Sequence, residues 1–392
     1  MLPLDHQPAY RSRSRYRICR TTTVVPLLLL LTVTLSLLIA MKDSADSVPV
    51  GGGGADTQDW HYEYETMPGY FLQSDSKTND KTFDFKDHNF GLVDRSYESD
   101  NNIITSNLTQ WQRFNSHLTI LNRNAPERTT YRLLFLGRHG QGFHNVAEAY
   151  YGMENWDCYW SLLEGNGTVT WAYAHLTQLG IDQAREARDY WATMIAEQRI
   201  VPPSSFYLSP LDRAINTAEV TFRDLPQPYT YVYRPIVKEL LREGNGLHTC
   251  DRRSNRADIA SRWPDVSFED SFSEKDELWR ADAREPMSEV TKRVTHLLDD
   301  IFEHDNGQII SLTAHSGAIA GLLAAIKHRS FRLQTGGVIP VLVKVEKKEG
   351  RRKEGPEQVW EPKPDCSGKE HHIRRDVKFA DFMNSPASKA HV

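Results

Sequence analysis

From residue 131 onward, apolar residues follow two alternating rhythms. Short unbroken runs, YRLLFLG at 131–137, SSFYLS at 204–209, QIISLTAH at 308–315 and PVLVKVE at 340–346, read as strands, and YTYVY at 229–233 joins them as a shorter one. Between them lie longer stretches with helical spacing: 176–198, 210–222, 286–305 and 316–328. Pro210 suits the first turn of the second stretch. In the third, Met287, Val290, Val294, Leu297 and Ile301 fall on one helical face. Strand and helix units in alternation predict an α/β domain with a largely parallel sheet.

The flanks depart from this rhythm. Arg11, Arg13, Arg15, Arg17 and Arg20 precede an uncharged run, VVPLLLLLTVTLSLLIAM, at 24–41. At about 1.5 Å per residue this run makes roughly 27 Å of helix, close to the hydrocarbon thickness of a bilayer. The pattern predicts a basic cytoplasmic tail at 1–20, a transmembrane signal anchor at 21–41 and a flexible stem at 42–59 that includes VGGGGAD. The expected placement is then a single-pass type II membrane protein with a luminal or extracellular domain, or a secreted one if the segment is cleaved. Asn107 and Asn166 stand in N-x-T sequons that such a placement would expose to glycosylation. The stretch 60–128 is polar and aromatic with weak periodicity, and reads as a partly irregular extension of the main domain. That domain is expected to span 60–346, followed by a charged mobile tail at 347–392 that few functional readings fit.

Composition narrows the function. The chain has 392 residues, 25% of them charged, and a formal net charge of -5. It has no basic footprint, so nucleic acid is not an expected partner. Its four cysteines, Cys19, Cys158, Cys250 and Cys366, show neither CxxC pairs nor zinc-ligand spacing, and suggest neither a metal knot nor a disulfide scaffold.

Three of the predicted strands end at chemically loaded positions: Arg138-His139-Gly140, SPLDRA at 209–214 and His315-Ser316-Gly317. Ligands in open α/β sheets bind beyond the carboxyl ends of strands, so one crevice is expected to receive Arg138, His139, Arg213 and His315. Two arginines and two histidines without a carboxylate pair describe a site for a small dianion, of which phosphate is the natural example. An unprotonated imidazole can attack phosphorus and carry the phosphoryl group covalently. Neighbouring guanidinium groups keep it neutral while holding the phosphate. The second histidine can hydrogen-bond the equatorial oxygens where transition-state charge is spread. A general acid must protonate the leaving group, and Glu243, in the glycine-rich loop LREGNG at 241–246, is the candidate.

The stretches GRHGQGFHN, SPLDRAINTA, LLREGNGLHTCDRR and SLTAHSGAI together resemble the histidine phosphatase, or phosphoglycerate mutase-like, superfamily, and within it the fungal phosphomutase-like proteins. The resemblance covers about residues 60 to 345. It implies a three-layer α/β/α domain with a mostly parallel sheet, preceded here by the predicted transmembrane helix. It also implies a phosphorylated nucleophile at His139 and a phosphate pocket made by Arg138, Arg213 and His315. Asn145 matches the asparagine that often closes RHGxxxxN. Glu243 matches the acid/base position, with Glu239 one turn earlier. His144 is off the i,i+4 spacing of a zinc pair and reads as a helix residue bordering the pocket. Cys250 and Asp251-Arg252-Arg253 read as residues that fix the loop carrying Glu243.

The expected activity is therefore phosphomonoester hydrolysis through phosphohistidine, without a metal or other cofactor, with phosphomutase as the alternative. A nucleotide-binding dehydrogenase fits less well: Gly137, Gly140 and Gly142 give GxxGxG rather than GxGxxG. A binding protein that keeps the fold without activity would not need all four of Arg138, His139, Arg213 and His315.

Overall fold

The computed structural model describes residues 59–102, 107–225, 232–367 and 377–390. The chain forms strands β1 (Trp60–Thr66), β2 (Thr129–Arg138), β3 (Ser205–Leu208), β4 (Pro235–Val237), β5 (Ser267–Phe268), β6 (Ala283–Arg284), β7 (Ile309–Ala314), β8 (Val338–Glu349) and β9 (Glu361–Pro362). The helices are α1 (Gln110–Arg123), α2 (Phe143–Tyr151), α3 (Met153–Cys158), α4 (Gln178–Thr193), α5 (Asp212–Phe222), α6 (Arg256–Arg262), α7 (Met287–His304), α8 (Ser316–Ala325), α9 (Phe379–Met383) and α10 (Pro386–Ala390).

Seven strands form one sheet in the order β1-β8-β2-β7-β3-β4-β5. β2, β7, β3, β4 and β5 run parallel, whereas β8 runs antiparallel to both β2 and β1. The unbroken apolar run of β2 explains its central place, because successive side chains serve opposite layers. Leu133 and Phe135 pack with Trp111, Trp191, Ile215 and Phe222 from α1, α4 and α5. Leu134 and Leu136 pack with Val294, Leu298, Ile319 and Leu322 from α7 and α8. The result is the expected α/β/α sandwich.

The register positions the site. β2 pairs in parallel with β7 from Leu133↔Ile309 to Arg138↔Ala314, and Leu208 of β3 lies opposite Thr313 of β7. Three carboxyl ends therefore finish side by side, and the chain after each carries the candidate residues.

Several expectations need correction. No helix among the described residues is long and apolar enough to cross a membrane. The described fold therefore includes no transmembrane helix, and the single-pass type II membrane placement is not supported. The segment on which they rested, 21–41, lies outside the described residues, as do the basic tail at 1–20 and the stem up to residue 58. Pro210 precedes α5 rather than entering it, since Leu211 is the N-cap. The strand expected at 229–233 forms instead at Pro235–Val237; residues 229–231 lie outside the described set. Met287 is 52% exposed, while the other four predicted face residues of α7 are buried.

The two flanks of the domain also hold more structure than their sequence suggests. β1 is an edge strand of the main sheet whose Tyr62 and Tyr64 enter the core. α1 opens with a capping box in which the Gln112 amide donates to Thr109 Oγ1 and the Thr109 amide donates to Gln112 Oε1. In the tail, Cys366 is disulfide-bonded to Cys158 at the end of α3. Phe379 and Phe382 of α9 are buried with Val146, Tyr150, Trp156 and Trp171 in a third apolar cluster, over α2 and α3.

Candidate active site

The loop after β2 is held tightly from several sides. A side chain at Gly140 would meet the Gly180 carbonyl oxygen at 2.2 Å, and one at Gly180 would meet the Gln141 carbonyl oxygen at 2.1 Å. This mutual close approach lets the loop lie on the first turn of α4. The Gly140 amide donates to Thr217 Oγ1 on α5 (3.0 Å), and the Gln141 amide to Gln183 Oε1 on α4 (2.8 Å). Gln141 Nε2 donates to the Ser388 carbonyl in α10, so the tail contacts this loop directly.

His139 is 2% exposed. Its Nδ1 lies 2.6 Å from the Gly140 carbonyl oxygen, which can only accept, so the proton belongs on Nδ1. Nε2 is then an unprotonated lone pair, and Arg213 Nε donates towards it at 3.3 Å. Burial, then Arg213 and Arg138, push the His139 pKa well below the usual imidazole range.

Arg213, in the first turn of α5, is fixed at three points: Nε on His139, Nη1 on the Cys250 carbonyl (2.7 Å) and Nη2 on Asp251 Oδ1 (3.0 Å). Arg138 donates to the Leu333 carbonyl at 2.8 Å, and burial lowers its pKa to about 10. His315 is fully buried, with its ring centroid 5.0 Å from that of His139. Its Nε2 lies 2.6 Å from Ser209 Oγ, while Nδ1 has no hydrogen-bond partner, leaving one ring nitrogen for a phosphoryl oxygen. Burial, then Arg213 and His139, hold His315 neutral in this unliganded arrangement.

Glu243 reaches the start of α8. Its oxygens accept from the amides of Gly317 (3.1 Å) and Ala318 (3.0 Å), joining a carboxylate to a helix N-terminus. A side chain at Gly317 would stand 2.3 Å from Glu243 Oε1. Glu243 lines the same cavity as Arg138, His139 and Arg213, of about 500 Å³. Glu239 does not; it pairs with Arg242 (2.9 Å) and Arg253 (2.7 Å) in a network that anchors the 239–253 loop. Asn145 also lines the cavity, but its Oδ1 accepts from the Gly142 amide at 2.9 Å as a cap of α2.

Two features were not legible from spacing, and a third lies deeper than expected. Asp251 supplies counter-charge that the sequence reading placed nowhere near the arginines: it pairs with Arg213 and, at 2.7 Å, with Arg284. His144 borders the pocket from α2 as expected, but it is also buried, 5.4 Å from His139 ring to ring, with Nδ1 unpartnered. Glu148, one turn further along α2, also enters the cavity. The i,i+4 spacing of His144 and Glu148 was visible, but nothing showed that this face of α2 lines the pocket.

Among the described residues, His248, Cys250 and Asp251 place ligand-type atoms within 4.8 Å of one another. Both Asp251 oxygens are already taken by arginines, and two guanidinium charges beside them oppose a cation. Of the two sequon asparagines, Asn107 is exposed, whereas Asn166 Nδ2, the atom a glycan would occupy, donates to the Tyr151 hydroxyl at 2.9 Å.

Fold and site together define an α/β domain with a neutral, buried histidine between two arginines beyond the carboxyl ends of its central strands. Residues 134–335 match the histidine phosphatase superfamily (branch 1), and the chain belongs to that superfamily. It is 50% identical over 284 residues to a protein named "Probable phosphoglycerate mutase" from Arthroderma benhamiae, covering 72% of this chain and 84% of that one. "Phosphomutase-like protein 3" of Candida albicans is 33% identical over 286 residues, covering 72% and 81%. A protein of Saccharomyces cerevisiae, also named a probable phosphoglycerate mutase, is 37% identical over 243 residues, covering 57% and 81%.

Proposed function

We propose that this protein is a phosphatase that hydrolyses phosphomonoesters through a covalent phosphohistidine at His139. The observation that carries the reading is the His139 ring itself: Nδ1 is tied to the Gly140 carbonyl and Nε2 is left as a lone pair beside the Arg213 guanidinium. In this reading Arg138 and Arg213 bind the phosphoryl oxygens, and His315, 5.0 Å from His139 ring to ring with Nδ1 unpartnered, is the donor for their developing charge. In the first step, a bond forms from His139 Nε2 to phosphorus as the ester P–O bond breaks, and Glu243 gives its proton to the departing alkoxide. In the second, water attacks phosphorus, its proton passes to Glu243, and inorganic phosphate and neutral His139 are released.

Brief exposure to a labelled phosphomonoester, followed by acid and base challenge, tests this chemistry. The expected adduct is acid-labile and base-stable, and absent from His139→Ala. Equal labelling of that variant would remove the nucleophile from His139.

The second reading, a phosphomutase, is favoured by the names of the relatives. It shares the phosphoenzyme but passes the group to a substrate hydroxyl. Assaying phosphoglycerate with and without added bisphosphoglycerate separates the two: a phosphatase releases phosphate in both arms, and a mutase isomerises when the bisphosphate is present.

A further inference from the structure

The cavity of about 500 Å³ is much larger than a phosphoryl group needs and lies in the range of whole small-ligand sites. Its inner end holds Arg138, His139 and Arg213. Its outer end is chemically different. Glu148 follows His144 by one turn on the same face of α2 and is only part-buried where His139 is buried, which places it nearer the mouth of the cavity. Asp157 of α3 and His248 complete that wall, with Asp157 Oδ1 3.5 Å from His248 Nε2. Trp156, 3% exposed, packs beside them.

Charge at this outer end is not balanced for an anion. Arg284 also lines the cavity, but its charge is shared with Asp251: Nη1 donates to Asp251 Oδ2 and to the Gly246 carbonyl. Arg332 stands exposed at the rim and offsets one carboxylate at most. His248 is neutral, its pKa lowered to about 4 by burial and Arg284. The Glu148 carboxyl is held above the usual carboxylate range, first by burial and then by the charge of Asp157. Glu148, Asp157 and Asp251 together outnumber Arg284 and Arg332 along this wall, so it disfavours a second negative charge and accepts hydrogen bonds.

We propose that the outer half of the cavity is a leaving-group subsite for a hydroxyl-bearing moiety without a second anionic group, with Glu148 and Asp157 as its hydrogen-bond acceptors. The inference rests on the phosphatase reading and names the class of its substrates: monophosphates of polyols rather than of hydroxy acids.

Three alkyl phosphates of similar size test it: glycerol 3-phosphate, 3-phosphoglycerate and propyl phosphate. kcat/KM for glycerol 3-phosphate is expected to exceed that for each of the others by about tenfold or more, the size of one good polar contact or one close like-charge repulsion. Glu148→Gln keeps an acceptor and removes the charge, so 3-phosphoglycerate should gain on glycerol 3-phosphate by several fold. Glu148→Ala should also reduce the preference over propyl phosphate. Turnover of all three at similar kcat/KM overturns the subsite while leaving the phosphatase intact. Wild-type preference for 3-phosphoglycerate, or ratios unmoved in both variants, overturns it as well. Failure to turn over any of them, or p-nitrophenyl phosphate, with no phosphohistidine formed, removes the phosphatase reading and the subsite together.

Discussion

Asp251, itself buried, holds two guanidinium groups at once, Arg213 at 3.0 Å and Arg284 at 2.7 Å. Removing its charge leaves the buried Arg213 and the part-buried Arg284 short of a partner, a loss of about 3 kcal/mol. Asp251→Asn is therefore expected to lower the free energy of unfolding by about that amount in urea titration and to weaken inhibition by inorganic phosphate, because Arg213 loses its fixed pose. A variant as stable as wild type would mean that the arginines find other acceptors. Glu243→Gln is expected to depress turnover of alkyl phosphates far more than that of p-nitrophenyl phosphate, whose leaving group needs little proton assistance. Arg138, His139, Arg213 and His315 were legible because each sits at a strand end, where position and residue type point the same way. Asp251 and Glu148 were not, because their meaning depends on which face of α2 and which turn of the 239–253 loop border the cavity.

The helix α8 and the loop bearing Glu243 meet at Gly317, where any Cβ collides with the carboxylate. Gly317→Ala should displace Glu243 and reproduce the leaving-group dependence of Glu243→Gln with little loss of His139 labelling; equal rates on both kinds of ester would argue that α8 shifts instead. The central elements were readable because β2, β3 and β7 are buried on both faces and so read as unbroken apolar runs. The extension at 60–128 was not, because its fold is set by aromatic side chains reaching a core formed elsewhere, as Phe90 does against Phe135 and Trp191. A local signal there, Thr109-x-x-Gln112, marks only the start of α1. The charged tail misled in the same way: Phe379 and Phe382 are two apolar residues in a polar stretch, and only their docking on Tyr150 gives them weight. Deleting residues 377–392 should lower Tm by several degrees, since it uncovers that cluster and removes the acceptor of Gln141.

Across the whole domain, His139, His144, His315 and His248 are all held below the ordinary imidazole pKa, chiefly by burial. Unfolded, each takes up a proton near pH 6.5. Below that pH the unfolded chain binds more protons than the native one, so stability falls as pH drops, by about 1.4 kcal/mol per unit for each proton difference. Glu148 and Asp157, with raised values, work in the opposite sense nearer the carboxyl range. His248→Gln isolates one imidazole: Tm should decline less steeply between pH 6.5 and 4 than in wild type, and an unchanged slope would show that His248 protonates freely in the native state. The bond between Cys158 and Cys366 spans 208 positions and thereby encircles every strand from β3 to β9. Such a chain is a lariat: a protease cut anywhere between the two cysteines opens the ring without releasing a piece. Nicked protein should keep its full mass in a non-reducing gel and part into two fragments only when the disulfide is reduced.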